Sequence, residues 1–289
     1  MTLLPFLVTQ CVNALSQAAL LFFLGVGLTL IFGIMRIVNF AHGSIYMLGA
    51  FVGYTAARIT GSFWAALIAA PILVALFGTA FEFGILRRLY RRDGSAFLMV
   101  TFGLALILGE VIRLVWGSEA LQVKGPAAFS GVVFILDEPF PVYRLFLAGA
   151  GIVVALAIWQ FLERTRLGLL IRATSQNAEM VHALGTDVNL VRSGVFGIGC
   201  GFAALGGVLA APLVTASLGM AASVIIDAFV IVIIGGMGSF PGSLIGALLV
   251  AFVQVFGNYY FPDLALAFMY LIMLVVLVVR PGGLLGKEA

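Results

Sequence analysis

Lysine occurs only twice in the 289 residues, at Lys124 and Lys287, and neither stands in a G-x-x-x-x-G-K-[ST] context. A P-loop is excluded, and with it an ATP-phosphate cradle built from this chain. The two histidines, His42 and His182, are isolated, with no second His or Cys at metal-ligand spacing. No G-x-S-x-G elbow occurs. No catalytic residue, metal centre or cofactor is therefore expected, and the chain is not read as an enzyme. Cys11 and Cys200 both lie in apolar runs and read as small packing residues, with no disulfide implied. Charge is the largest deficit. Asp, Glu, Lys and Arg make up 9% of the chain, far too few to cover a soluble protein of this length. The net charge of +3 comes from arginines between the apolar runs, not from a nucleic-acid surface.

What fills the chain instead is hydrocarbon: 63% of residues are hydrophobic and the mean hydropathy is +1.21. A bilayer core of about 30 Å needs about 20 apolar residues per helix, and many such runs are present. The ten-residue alternating segments of a membrane β-barrel are absent. The expected fold is all-α, a single polytopic transmembrane helical bundle over residues 1–289. Candidate spans are Phe6–Met35, His42–Ile59, Phe63–Leu86, Ala96–Val115, Arg144–Leu162, Val191–Ala216, Ser223–Ile234, Ser243–Phe256 and Leu264–Val279. The spans near Ser223 and Ser243 are too short to cross alone as straight helices. With a break at Asn39–Gly43, eight to ten crossings are expected, some by broken helices. No Lys or Arg precedes the first apolar run at Leu3 and no small-residue cleavage site follows it, so the first helix is expected to be retained.

Arginine placement orients the bundle. The linker Arg87-Arg88-Leu89-Tyr90-Arg91-Arg92-Asp93 holds four arginines and one acid. The segment Glu163–Arg192 carries Arg164, Arg166 and Arg172, and the C-terminus carries Arg280 and Lys287. Trp116–Tyr143 holds Glu119, Asp137 and Glu138 against a single Lys124. The positive-inside rule puts the first three inside and the last outside. Counting outward, the N-terminus lies outside and the C-terminus inside.

Polar groups inside such a chain are costly unless they have partners or line water. The stretch VNFAHGSIY, Val38–Tyr46, therefore stands out. A helix broken there exposes backbone groups that Asn39 and Ser44 can satisfy locally, while Gly43 permits the turn. Asn39, His42, Gly43 and Ser44 are read as bordering a translocation pathway, with a structural hydrogen bond an equal reading for His42. A second turn, Ser239-Phe240-Pro241-Gly242-Ser243, echoes the first. Paired Gly/Pro interruptions point to a transport pathway, so Ser239, Pro241, Gly242 and Ser243 join the candidates. Glycines four apart (Gly49/Gly53, Gly197/Gly201, Gly242/Gly246) predict close helix packing. Gln10, Asn13 and Gln17, and Gln254 with Asn258, form polar stripes that either border a wet interior or, the preferred reading, make interhelical hydrogen bonds. The ionisable residues read as membrane-embedded are Glu82 near the Arg87/Arg88 cluster, Glu110 and Arg113 paired on one helix face, and Asp227 near the external start of its span. Structural readings are preferred for all four, although intramembrane charges mark function by default.

The region 163–190 has a different character. Ser175 can cap a short helix, Glu179 suits its positive end and Gly185 can close it. Ala178, Val181 and Leu184 make an apolar stripe, opposite Gln176, Glu179 and His182. A short amphipathic helix on the cytosolic side suits docking into a groove of another protein. It lacks the basic polar face of a membrane-surface helix.

Several stretches together resemble the permease subunits of the branched-chain amino-acid type of ABC importer, the LivH-like family. They are Gly27-Leu28-Thr29-Leu30-Ile31-Phe32-Gly33-Ile34-Met35 with Val38–Gly43, then Ala183-Leu184-Gly185. Gly235–Ala247 and the ending Arg280-Pro281-Gly282-Gly283-Leu284-Leu285-Gly286 follow in the family's order. The resemblance implies a non-catalytic subunit of the bacterial inner membrane. It would move branched-chain or similar small amino acids inward, with ATP hydrolysed by a separate subunit. The implied partners are a second related permease, two cytosolic ATP-binding subunits, an external solute-binding protein and membrane lipid. Ser175, Ala178, Glu179, Val181, Leu184 and Gly185 then fall in the loop that engages the ATPase, departing from the Glu-Ala-Ala signature of other importers. The alternatives are a secondary transporter, or a channel for a small polar solute such as urea or an amide.

Overall fold

The computed structural model describes residues 3–90, 92, 94–135 and 138–286. Arg91, Asp93, Asp137 and Lys287 of the charge argument lie outside them. The helices are α1 (Leu3–Met35), α2 (His42–Thr60), α3 (Phe63–Gly84), α4 (Gly94–Trp116), α5 (Val142–Arg164), α6 (Arg166–Gln176), α7 (Ala178–Ala183), α8 (Val188–Val214), α9 (Met220–Gly235), α10 (Phe240–Tyr260) and α11 (Ala265–Val279). Among the described residues seven are long and apolar enough to cross a membrane; α9 is a shorter apolar helix, and α2 packs inside the bundle against α8 and α3. The chain is a polytopic helical membrane protein.

Burial ranks the helices. α8 lies at the centre against α1, α2 and α3, and α1 also carries α5, α9 and α10. In their most apolar stretches α1 and α8 are 78% buried and the last span only 11%, so α11 is a rim helix. The rim side chains, such as Leu266, Leu274 and Val278 on α11, remain exposed and apolar, as lipid contact demands. Gly49 and Gly207 bring α2 and α8 together, with Gly207 against the Tyr46 carbonyl and Gly49 against Ala204.

Three expectations change. α10 is 21 residues long, about 32 Å at 1.5 Å per residue, so it crosses unaided. It starts early because Ser239 caps it with Pro241 in its first turn, and it runs past Phe256 through Asn258 to Tyr260. Residues 166–176 form a helix of their own, capped by Thr165, whose hydroxyl accepts from Gly168 N at 3.0 Å. The loop after α4 contains an antiparallel hairpin, β1 (Val132–Ile135) with β2 (Glu138–Pro141), in register Val133 opposite Phe140. A backbone pair from Leu121 to Ala216, at 2.8 and 2.9 Å, ties this loop to the chain between α8 and α9.

Candidate functional site

Between α1 and α2 the chain turns at Arg36, whose φ of +51° is unusual outside glycine. It then runs back along α1 without helical structure. His42 Nε2 lies 3.0 Å from the Leu24 carbonyl, which can only accept, so Nε2 carries the proton. Leu24 lies eleven residues before the end of α1, or about 16 Å along its axis. Residues 36–41 therefore return well into the bundle, and α2 begins there. Such backbone is tolerated only against protein or water. Asn39 is completely buried, its Oδ1 accepts from Ala41 N at 3.1 Å, and its carbonyl accepts from His42 N at 3.2 Å.

Two details of the reading are corrected. The break spans Arg36–Ala41, so His42, Gly43 and Ser44 form the first turn of α2. Gly43 does not supply a positive φ. It lets α2 touch α9 at the Ala221 carbonyl, with Ile225 Cβ 3.0 Å from where its own Cβ would stand. Ser44 does not act locally either, because its Oγ donates to Ala105 O on α4 at 3.3 Å. His42 is completely buried and takes up the structural hydrogen bond.

The second turn lies at another depth. Gly236 (φ +103°) and Gly238 (φ +83°) make the reversal, and Gly238 Cα stands 3.2 Å from the Cβ position of Gly33, nine residues beyond Leu24. Ser239 Oγ accepts from Gly242 N at 3.2 Å, and Ser243 Oγ donates to Phe240 O at 2.8 Å. Gly242, again without positive φ, fits against the Gly235 carbonyl. The end of the chain closes this corner. Leu284 N and Leu285 N donate to the Ile234 and Gly235 carbonyls at 2.8 and 3.1 Å, satisfying acceptors that the end of α9 leaves open. The two turns are thus about 14 Å apart along α1 and are not brought together.

A cavity of about 330 Å³ lies between α1, α2, α8 and α9, toward the hairpin end of the bundle. Its polar wall is Gln17, Tyr46, Ser217, Ser223 and Asp227; leucines of α1 (Leu20, Leu21, Leu24) form an apolar side. Asp227 is not at the start of its helix as expected but at its eighth residue, where its Oδ1 accepts from Gln254 Nε2 at 3.0 Å. The apolar run begins at Ser223, whereas the helix begins three residues earlier. Gln254 bonds Asp227 across helices and Asn13 accepts from Arg144 on α5, both as expected; the Gln10–Asn13 bond at 3.4 Å is local to α1, and Gln17 lines the cavity. No local pattern marks Tyr46 and Ser217, since three helices and a loop supply this wall. Among the described residues no group of three His, Cys, Asp or Glu could hold a metal.

At the arginine-rich end, Ser175 is not the cap. It lies inside α6 with its Oγ donating to Arg172 O at 2.8 Å, and Asn177 caps α7 by accepting from Met180 N at 2.9 Å. Asn177 alone has the extended backbone a cap requires. Gly185, at φ +88°, closes the helix. Val181 is 6% exposed and turned into the chain, whereas Met180 and Leu184 are 58% and 79% exposed. Glu82 does not pair with Arg87 or Arg88 either. It is completely buried and accepts from the hydroxyls of Tyr90 and Ser193, joining the linker before α4 to the start of α8. Burial, and then the bond to Glu82, push the Tyr90 hydroxyl above its ordinary range, so it stays a donor at neutral pH. Arg192 lies over the Tyr90 ring at 4.7 Å. Glu110 and Arg113 pair on the outer face of α4, as expected.

Comparison with known proteins places this architecture. Residues 10–277 match the family model described as the permease component of branched-chain amino acid transport systems. The high-affinity branched-chain amino acid transport permease BraD of Pseudomonas aeruginosa is 29% identical, over 96% of this chain and 95% of that one. LivH of Salmonella typhimurium, likewise a high-affinity branched-chain amino acid transport permease, is 27% identical over the same shares. The ribose import permease RbsC of Escherichia coli is 29% identical over 86% of this chain and 78% of its own. With the match running from α1 into α11, the chain belongs to the family of branched-chain amino acid transport permeases.

Proposed function

We propose that the chain is the membrane-spanning subunit of an ABC importer in a bacterial inner membrane, moving branched-chain or similar small amino acids inward. It carries no catalytic activity, and ATP is hydrolysed by cytosolic partners. Two such ATPase subunits, a second related permease and an external solute-binding protein complete the assembly. The observation that carries the reading is the family match across the whole bundle, in which the relatives are named as branched-chain amino acid permeases. The α6–α7 projection supports it, since it presents Met180 and Leu184 to a partner beside the arginine-rich linker.

Co-purification tests the reading against a carrier working alone. The chain, expressed with its neighbouring subunits, is expected to bring down an ATPase, and vesicle uptake is expected to require ATP. Uptake by the chain alone, indifferent to ATP, would replace this reading with that of a secondary transporter.

The arginine-rich end is assigned to the cytosol. A cysteine replacing exposed Glu119 is expected to react with an impermeant thiol reagent in whole cells, and one replacing exposed Arg88 only after permeabilisation. The opposite pattern would invert the bundle.

A further inference from the structure

We propose that the cavity between α1, α2, α8 and α9 binds the α-ammonium group of an amino acid in transit, with Asp227 as its counter-ion and the α1 leucines receiving the apolar side chain. This rests on the importer reading and adds a cargo site to it.

Asp227 is an ionisable side chain in the middle of a transmembrane helix, where a charge persists only if paired or facing water. Gln254 Nε2 is its protein donor among the described residues, and it occupies only Oδ1. Among the described residues no Lys, Arg or His lines the cavity, so the carboxylate meets no fixed cation there. In a low-dielectric wall such a carboxylate attracts a cation far more strongly than in water. The other polar groups are neutral: the hydroxyls of Tyr46, Ser217 and Ser223, and the Gln17 amide. The Ser223 hydroxyl already donates to the Met220 carbonyl at 3.1 Å, whereas Tyr46, Ser217 and Gln17 can hydrogen-bond the cargo carboxylate without a permanent charge to trap it, which suits a molecule that must leave again. At about 330 Å³ the space is at the small end of ligand cavities, which run from about 300 to 1,000 Å³. That is room enough for one small amino acid. A neutral solute such as urea would leave the Asp227 charge uncompensated, which decides for an ammonium.

The test uses the assembled complex in nanodiscs of phosphatidylglycerol, so that no lipid ammonium competes. A Cys11→Ser, Ser223→Cys variant places one reactive thiol on the cavity wall, Cys200 being completely buried. A cationic ethylammonium thiosulfonate is expected to modify it at least about tenfold faster than its anionic ethylsulfonate analogue. Leucine should slow that reaction, and the 2-hydroxy analogue of leucine, which lacks the ammonium, should not. Adding Asp227→Asn should abolish the preference, and Asp227→Asn alone should cut ATP-driven leucine uptake about tenfold or more while the ATPase still co-purifies. Equal rates for the two reagents with no leucine protection would overturn the site, as would wild-type uptake by Asp227→Asn. Should Asp227→Asn fail to assemble, the thiol measurements with Asp227 intact decide alone. ATP-independent uptake by the unmodified chain would instead overturn the importer reading, and leucine protection would still decide the cavity.

Discussion

Gly43→Val and Gly242→Val are each expected to reduce the folded, monodisperse chain recovered from membranes by about tenfold or more. A Cβ at position 43 would run into the Ala221 carbonyl, with Ile225 Cβ at 3.0 Å. At position 242 it would meet the Gly235 carbonyl oxygen, with the carbonyl carbon at 2.7 Å and Ser239 Cβ at 3.0 Å. The obstacles are backbone atoms of a packed neighbouring helix, which cannot rotate aside. Overpacking a well-filled interior costs about 1–3 kcal/mol even where side chains can yield, and about 1.4 kcal/mol is tenfold in a folding equilibrium. Gly149→Val on α5, where nothing lies within 4 Å, is the matched control and should be recovered normally. Size-exclusion profiles of fluorescently tagged variants make the measurement. Assembled complexes at wild-type yield that fail only in uptake would show these glycines serving a pathway instead of helix contact.

These same glycines show where sequence reasoning reaches its limit. Gly-Ser after a polar stretch marks the entrance to a helix in both halves, and both α2 and α10 do begin there. Whether a glycine is present for its φ or for its missing side chain depends on what lies across from it, which local sequence does not contain. Gly236 and Gly238 take the conformational role, and Gly43 and Gly242 the steric one.

The long crossings were legible because twenty apolar residues have few alternatives to a membrane helix. The edges of α9 and α10 were not: α9 starts three residues before Ser223, and α10 starts where Ser239 caps it and runs past Phe256 to Tyr260. Residues 166–176 were read as loop because an arginine-bearing segment breaks the apolar pattern, yet Thr165 caps it into a helix. Glu82 illustrates the same gap at one residue. Nearness in sequence suggested arginine partners, while the fold brings Ser193 to it from over a hundred positions away. The cavity was illegible for a similar reason, its polar wall being assembled from segments as far apart as Gln17 and Asp227.

The largest functional loss without loss of fold is expected from charge on the exposed face of α7. Val181, Ala178 and Leu184 form the apolar stripe in sequence, but the bundle claims Val181 for itself, leaving Met180 and Leu184 for a partner. Met180→Asp combined with Leu184→Asp should leave the chain's own thermal stability nearly unchanged, because both side chains are exposed. The second change also places a negative charge at the carboxyl end of a helix, a cost of only about 0.3–1 kcal/mol. In a partner's groove the same two carboxylates would be buried without counter-ions. Leaving a charge unpaired in an interface costs about 2–5 kcal/mol, so ATPase affinity should fall at least about 30-fold. Val181→Asp is the informative contrast. Its charge would be buried within the chain, so its melting temperature should drop before any partner is added. Melting curves of the isolated chain and pull-down of the ATPase, run on all three proteins, separate the two effects. If the double variant retains wild-type ATPase binding and stimulation, α7 is not the docking surface, and its exposed apolar face belongs against lipid.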